Sequence, residues 1–278
     1  MSAQHEPIIV KPISEVTAYL RNLIPPNIPK TYAINPRFSS VAGEDDIRKG
    51  VAAFKEFLYL LCDRLTSDGH LYAKPPKKPG NMADYPFLHN MTNLLVDIGY
   101  FGILSESGKS LLIDKLPLCT PPKPKISASS QADCMCFLTL CGFVFTDFEV
   151  KYPSNPTLLT GLKSLSIADM ELRTDRRYWG DNNLLRCNYR LLKSEEPDML
   201  DVLRDLLNPL PEDVQAFVVK LHRRYVEMGL TCVNTRLGEE NFAYSYIGNS
   251  RKNLAPEKFT ENASLLFRIQ LKTDTVYL

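Results

Sequence analysis

The sequence predicts an α+β protein: a mainly helical lobe with a β-hairpin, then a lobe with an antiparallel sheet of about four strands backed by amphipathic helices. Three observations lead to this prediction. Apolar residues recur at three- and four-residue steps in several long segments, which is typical of helices with one buried face. Short segments that alternate apolar and polar residues, as strands do, concentrate near the C-terminus. Proline-rich stretches separate these groups and mark the predicted boundaries.

The composition is that of an ordinary folded protein. The chain has 278 residues, 44% apolar and 23% charged, enough for one large core or two smaller ones. A formal charge of +1 argues against a globally basic nucleic-acid-binding protein, although a local basic patch stays open. Seven cysteines without a dense secreted pattern predict free, mostly buried thiols in a reducing compartment. We see no signal peptide and no apolar run long enough to cross a bilayer, and therefore predict a cytoplasmic protein without membrane association.

Residues 1–43 contain six prolines and predict an extended N-terminal arm with at most one short helix, at residues 14–23. Residues 44–150 form the predicted helical lobe with its hairpin. The strongest element of this lobe is a helix at residues 45–65, where apolar residues alternate by four and three without a break. The remaining predicted elements follow in order: a helix at 86–98 that Gly99 ends, a β-hairpin at 100–113, a helix at 129–141 and a strand at 143–150.

Residues 155–278 form the predicted lobe of antiparallel sheet and helices. Its central helix begins after Pro211 and carries an apolar stripe that includes Val214, Phe217 and Val218, with Gly229 as a left-handed cap. We expect this helix to cover the apolar side of the sheet. The other predicted elements are helices at 155–172 and 197–207 and strands at 184–192, 230–237, 242–247 and 263–272.

No residue pattern of an established chemistry is present, so we assign no catalytic residue, no metal ligand and no cofactor. Cys134, Cys136 and Cys141 cannot converge from one helix, and we interpret them as buried structural thiols. His222 stands beside Arg223 and Arg224, mostly off the apolar stripe, and is interpreted as a solvated helix residue.

Four cations are the best candidates for a binding surface. In the strands predicted at 184–192 and 263–272, Arg186 and Arg190 alternate with apolar residues, as do Arg268 and Lys272. If both strands join one sheet, these side chains share a face that could receive a phosphate, a carboxylate or a nucleic-acid backbone. The alternative is the solvated side of an antiparallel sheet. Trp179 lies in a polar loop, where it could line a ligand pocket or anchor the loop to the core.

Two segments also carry a resemblance. Residues 88–124 and 206–233, with a Tyr244-Ser245-Tyr246 strand, resemble uncharacterised proteins of gut clostridia and related Firmicutes. These share a proline-led helix, a glycine stop and a β-hairpin. The resemblance implies a bacterial, cytoplasmic protein of mixed α and β structure, and it implies no functional residues.

The sequence thus favours a non-enzymatic binding or regulatory protein for an anionic small molecule or a protein partner. One alternative is a DNA-binding regulator, in which the helices at 45–65 and 86–98 and the hairpin form a winged-helix-like unit with Lys109 at the wing tip. The other is an enzyme with a dispersed active site. The ligand and the oligomeric state are left open.

Overall fold

The computed structural model describes residues 12–72, 86–113, 128–174, 184–195, 198–208, 210–234, 241–245, 267–271 and 276–277. These residues form an α+β fold, as predicted. The helices are α1 (Ile13–Leu23), α2 (Glu44–Tyr72), α3 (Pro86–Phe101), α4 (Ala128–Leu140), α5 (Leu158–Thr174), α6 (Met199–Leu207) and α7 (Glu212–Glu227).

Two antiparallel sheets accompany these helices. The first has the strand order β1-β2-β4-β3, and the second has the order β5-β6-β7-β8. The strands of the first sheet are β1 (Ile103–Leu104), β2 (Ser110–Leu112), β3 (Val144–Phe145) and β4 (Glu149–Lys151). Those of the second are β5 (Thr231–Asn234), β6 (Asn241–Ser245), β7 (Phe267–Leu271) and β8 (Val276–Tyr277).

Helix α5 organises the first core because it contacts both α2 and α3. At its crossing with α2 the two backbones meet directly at Gly50 and Gly161, where neither residue has room for a Cβ atom. Gly99 of α3 lies in the same way against Ser166 of α5. The predicted stop at Gly99 is therefore wrong: this glycine permits a close helix contact, and α3 continues to Phe101.

The first core is rich in aromatic side chains. The ring of Phe57 meets that of Phe143 edge-on at 5.2 Å and that of Tyr152 at 5.7 Å, geometries that favour aromatic pairs beyond simple burial. Buried residues of this core extend from Ile13 in the N-terminal arm to Leu192. Helix α5, which we assigned to the second lobe, thus belongs to the first core, while the division into lobes stays a prediction.

A second, smaller core lies between α6, α7 and the start of β5. Its buried residues are Leu23, Leu203, Leu207, Leu210, Val218 and Leu230. Gly229 ends α7 with φ +82°, and Leu230 N donates to Tyr225 O at 3.1 Å, so the predicted left-handed cap is confirmed. The buried face of α7 differs from the predicted apolar stripe. Phe217, predicted to be buried, is 53% exposed, whereas His222 is buried.

Residues 184–192 do not form the predicted strand. Cys187 has φ +51°, and residues Tyr189–Leu192 form a 3₁₀ turn. Leu185, Cys187 and Tyr189 are buried, as expected from the alternation, but a turn against α5 buries them. Leu191, expected on the same side, is only partly buried, whereas Leu184 and Leu192 of the other side are buried as well. The second sheet takes β8 as its fourth strand instead. The strand predicted at 143–150 is likewise a hairpin of two short strands, β3 and β4.

Candidate functional site

The outer face of the first sheet is the candidate site. Along each strand, side chains alternate between the core and the opposite side. Leu111 and its partner Val150 are buried against the helices, which leaves Ile103, opposite Leu112, on the other side. The register then continues from Leu112 to Glu149. This row crosses three strands and forms what we call the outer face.

Large apolar side chains remain exposed on and beside this row. Ile103 is 66% exposed and Phe148 is 67% exposed. Phe101 is the last residue of α3, two residues before Ile103. Phe148 directly precedes β4 and lies opposite the buried Ile113, whose N–H donates to Phe148 O at 2.9 Å, so it lies at the end of the strand and outside the outer-face row. We call Phe101, Ile103, Leu112 and Phe148 the apolar patch; each is exposed. Ile103 and Leu112 are opposite each other on the outer face, and exposed apolar groups that lie close together mark interaction sites more often than scattered single residues do.

An ion pair lies next to the apolar patch. Glu149 and Lys151 of β4 form an ion pair, and Ser110 Oγ donates to Glu149 Oε1 at 3.2 Å. The hydrogen bond from Lys151 holds the pKa of the Glu149 carboxyl below its ordinary value. This ion pair has no net charge, while the exposed Asp147 lies directly before Phe148 in the chain.

Lys163 of α5 holds the segment that presents Phe101 and Ile103. Its Nζ donates to Gly102 O at 2.6 Å and lies 3.4 Å from Gly99 O and from Tyr100 O. These carbonyls end α3, where a cation is favoured by the helix dipole and supplies missing donors. Partial burial of the ammonium lowers the pKa of Lys163. The patch is thus attached to α5 by a charged cap.

We expect Lys163→Met to loosen this segment, because it removes the cap but keeps an unbranched apolar chain. Hydrogen bonds to a charged donor contribute about 1.5 to 3 kcal/mol, so we expect a loss of about 2 kcal/mol in the free energy of unfolding. Urea unfolding would measure the loss, and faster amide exchange at residues 99–104 would locate it. Lys109→Met, at the exposed hairpin turn, is the control and should stay within about 0.5 kcal/mol. Equal effects of the two substitutions would contradict this role of Lys163.

No family model matches this sequence, and comparisons with curated proteins and with solved structures find no similar protein. The resemblance to clostridial proteins stays a prediction. A functional interpretation therefore depends on the geometry of this chain alone.

The predicted cationic surface is not assembled as expected. Arg190 lies in the turn after Cys187, outside both sheets, and its Nη1 is 2.6 Å from Asp205 Oδ2 of α6. The Arg190 guanidinium also covers the ring of Tyr189, 4.9 Å from its centroid. The side chains of Arg190 and Asp205 are only 12% and 22% exposed. Arg190 thus connects the first core to α6, and its charge is matched within the protein.

The other predicted site residues do not share a sheet with Arg190. Arg186 lies in the same irregular segment as Arg190, whereas Arg268 lies in β7, opposite Ala243 of β6. Trp179 and Lys272 lie outside the described residues. The idea of one cationic sheet face is therefore wrong in its geometry, since 184–192 and β7 are not strands of one sheet.

The cysteines are poorly suited to nucleophilic chemistry where they are buried. Burial raises the pKa of Cys62, Cys134, Cys141 and Cys187 to about 12 in each case, which keeps these thiols protonated. Cys134 and Cys141 are buried as predicted, but Cys136 is exposed. Among the described residues, no three histidine, cysteine or acidic side chains gather closely enough to hold a metal ion.

His222 differs from its predicted solvated position. It is buried between α7 and α6, and this burial lowers the pKa of its imidazole, while Asp198 acts in the opposite direction. The helices of the described residues also include none that is long and apolar enough to cross a bilayer.

The sequence contained a signal for the apolar patch that alternation alone did not reveal. Ile103-Leu104 and Leu111-Leu112 are consecutive apolar pairs within predicted strands. Because neighbouring side chains of a strand point to opposite faces, each pair must place one apolar side chain on each face of the sheet. Such a sheet has either two covered faces or one apolar exposed face.

Proposed function

We propose that this protein is a non-enzymatic binding protein whose partner is another protein, held at the apolar patch. The observation that carries this proposal is the exposure of Ile103 and Phe148, with Phe101 and Leu112, beside the Glu149–Lys151 ion pair. Transient protein interfaces use apolar centres with polar rims of this kind. The free thiols and the resemblance to clostridial proteins support a role in the bacterial cytoplasm.

An anionic small molecule is the less favoured ligand. Several cations of the described residues that lie near aromatic rings are engaged with groups of the protein itself. Arg48 pairs with Glu44 and Asp45 of its own helix, and Arg190 pairs with Asp205. An incoming anion would have to break such pairs and desolvate their partners, which opposes binding.

The structure gives little support to the two alternatives, a DNA-binding regulator and an enzyme with a dispersed active site. A winged-helix regulator needs a helix with a free face to enter the major groove, but α3 is packed against both α4 and α5. An enzyme needs titratable groups converging on a substrate, and the buried thiols described above are protonated. Protein binding therefore stands as the preferred function.

Site-directed photo-crosslinking in cells tests this proposal. We expect p-benzoylphenylalanine at position 101 or 148 to form a discrete crosslinked species, because both positions lie in the apolar patch. The matched control is position 71, an apolar site at the end of α2 where Leu71 is 70% exposed, close to the 67% of Phe148. The mass of the crosslinked species identifies the partner. Absence of a species specific to positions 101 and 148 would contradict protein binding at the patch.

A further inference from the structure

His222 lies on the buried face of α7, beside the second core. It follows Val218 by four residues, so the two side chains are one helical turn apart on the same side of the helix. Val218 is 0% exposed and His222 is 6% exposed. The buried residues of this core are leucines and a valine. A neutral imidazole is tolerated in such surroundings, whereas a charged one is strongly disfavoured.

The charged groups that face His222 give its protonated form little support. Arg204 of α6 and Arg223 of α7 repel an imidazolium, and Asp198, directly before α6, attracts one. The carboxylate of Asp198 is already engaged, because its Oδ1 accepts the N–H of Leu200 at 2.8 Å and caps α6. A proton on His222 would therefore meet two cations and one carboxylate that already has a partner.

The other elements around this core supply no unpaired carboxylate within the described residues. Strand β5 packs against α7 and carries no charged side chain; its one titratable group is the thiol of Cys232. Further charged side chains of α6, and that of Arg21 next to the core in α1, are paired: Asp201 with Arg204, Asp205 with Arg190 of the turn after Cys187, and Arg21 with Asp63 of α2.

The sign of the pH effect follows from this environment. Burial, followed by repulsion from Arg204 and Arg223, lowers the pKa of His222 below its ordinary value of 6.5, and Asp198 only partly opposes this. In an opened chain His222 regains the ordinary pKa and binds a proton at a higher pH than in the folded protein. Stability of the surrounding structure is therefore full well above pH 6.5 and falls as the pH drops below that value.

The structure around His222 can open separately from the rest of the protein. Its core is much smaller than the first core. It joins the first core through Leu23 of α1, the Arg190–Asp205 pair, and the Nδ2 of Asn208, which donates to Asn22 O at 3.4 Å. Cooperative units with a small apolar core open at a lower free-energy cost than the whole protein does. We call α6 and α7 the α6–α7 unit.

We propose that the α6–α7 unit is an acid-sensitive element, which opens when His222 takes up a proton and closes when His222 releases it. Opening exposes the side chains of Leu203, Leu207 and Val218 and leaves the first core in place. The device is independent of the proposed protein-binding function, because the apolar patch belongs to the first sheet.

Hydrogen exchange of the full chain at about pH 7 and about pH 5, corrected for the intrinsic rates, tests the proposal; most carboxylates are still ionised at the lower value. In the wild type, protection of amides in α6 and α7 should fall at least about fivefold at the lower pH, since linkage allows up to about tenfold per pH unit for one proton. Protection in α2 and α5 should not change. His222→Gln keeps a polar side chain without the proton site and should remove this pH dependence.

The matched control is His70→Gln, at an exposed histidine near the end of α2, which should behave as the wild type does. Equal protection of α7 at both pH values in the wild type, or the same pH dependence in His222→Gln, overturns the proposal. If His222→Gln does not fold, NMR titration of the wild-type imidazole decides. A midpoint below 6.5 is expected, and a midpoint at or above 6.5 overturns the proposal.

Discussion

Gly161→Ala is expected to destabilise the protein by about 3 kcal/mol, at the upper end of what overpacking of a close-packed interior costs. A Cβ atom at position 161 would overlap the carbonyl group of Gly50 and lie 2.6 Å from Val51 N. These are backbone atoms of α2, so no flexible side chain can move aside. Either α2 and α5 separate along their whole crossing, which opens the first core, or the helices bend.

Urea unfolding monitored by circular dichroism would measure this loss, with Gly43→Ala as the control. Gly43 precedes α2, and the nearest atom to a Cβ there is Asp46 Oδ2 at 3.8 Å. Loss of a glycine at such a position costs less than about 1 kcal/mol. Gly50→Ala should match Gly161→Ala, because its Cβ would lie 3.0 Å from Gly161 Cα and closer still to Gly161 N. If Gly161→Ala cost no more than Gly43→Ala, the close crossing of α2 and α5 would be wrong.

Arg190→Met should cost a similar amount, about 3 kcal/mol at pH 7, because it leaves the carboxylate of Asp205 largely buried without its cation. Burial already raises the pKa of Asp205, and Arg190 acts against this rise. Removing Arg190 leaves the effect of burial unopposed, so the pKa of Asp205 should rise further. The methionine keeps most of the apolar chain, and the loss therefore reports mainly on the charge.

The stability loss of Arg190→Met should depend on pH. When the folded-state pKa of an acid lies above its unfolded value of 3.8, the unfolded chain releases its proton first, and stability falls as pH rises between the two values. Arg190→Met should therefore be closer to the wild type in stability near pH 4 than at pH 7. Urea unfolding at both pH values would measure this difference.

A double-mutant cycle supplies the control for this pair. Asp205→Asn removes the partner charge, and its effect should not add to that of Arg190→Met, with a coupling of about 2 kcal/mol. The cycle also bears on the rejected binding surface. If Arg190→Met weakened binding to an immobilised polyanion but left stability unchanged, Arg190 would be a ligand residue after all.

Helices with a long apolar stripe were predictable from the sequence. The predicted helix at 45–65 lies within α2, and the one at 129–141 is close to α4. The stripe fixed the face of α2 but missed its end, since α2 continues to Tyr72. Its last turns pack against α1, where Gly69 lies beside Ile13, a contact between segments far apart in sequence. Tertiary contact of this kind overrides local propensity.

Alternation was a less dependable guide than helical periodicity. In residues 184–192 it correctly predicted that Leu185, Cys187 and Tyr189 are buried, but Leu191 of the same predicted face is only partly buried. It did not predict the backbone, because a turn with a left-handed residue at Cys187 buries the same side chains. The predicted sheet face was wrong for this reason, since it required Arg190 to lie on a strand, whereas ligand binding by the predicted residues stays a prediction.

By itself, the sequence determined the α+β class, most of the helices and the hairpin of β1 and β2, because these follow from local apolar patterns. Only the tertiary structure decided which apolar residues remain exposed, such as Ile103 and Phe148, and which cations are paired within the protein, such as Arg190. The physical reason is that burial tendency belongs to a single side chain and its near neighbours, whereas cover and charge pairing depend on elements distant in sequence. The candidate site of this protein therefore depends on how distant elements pack against one another.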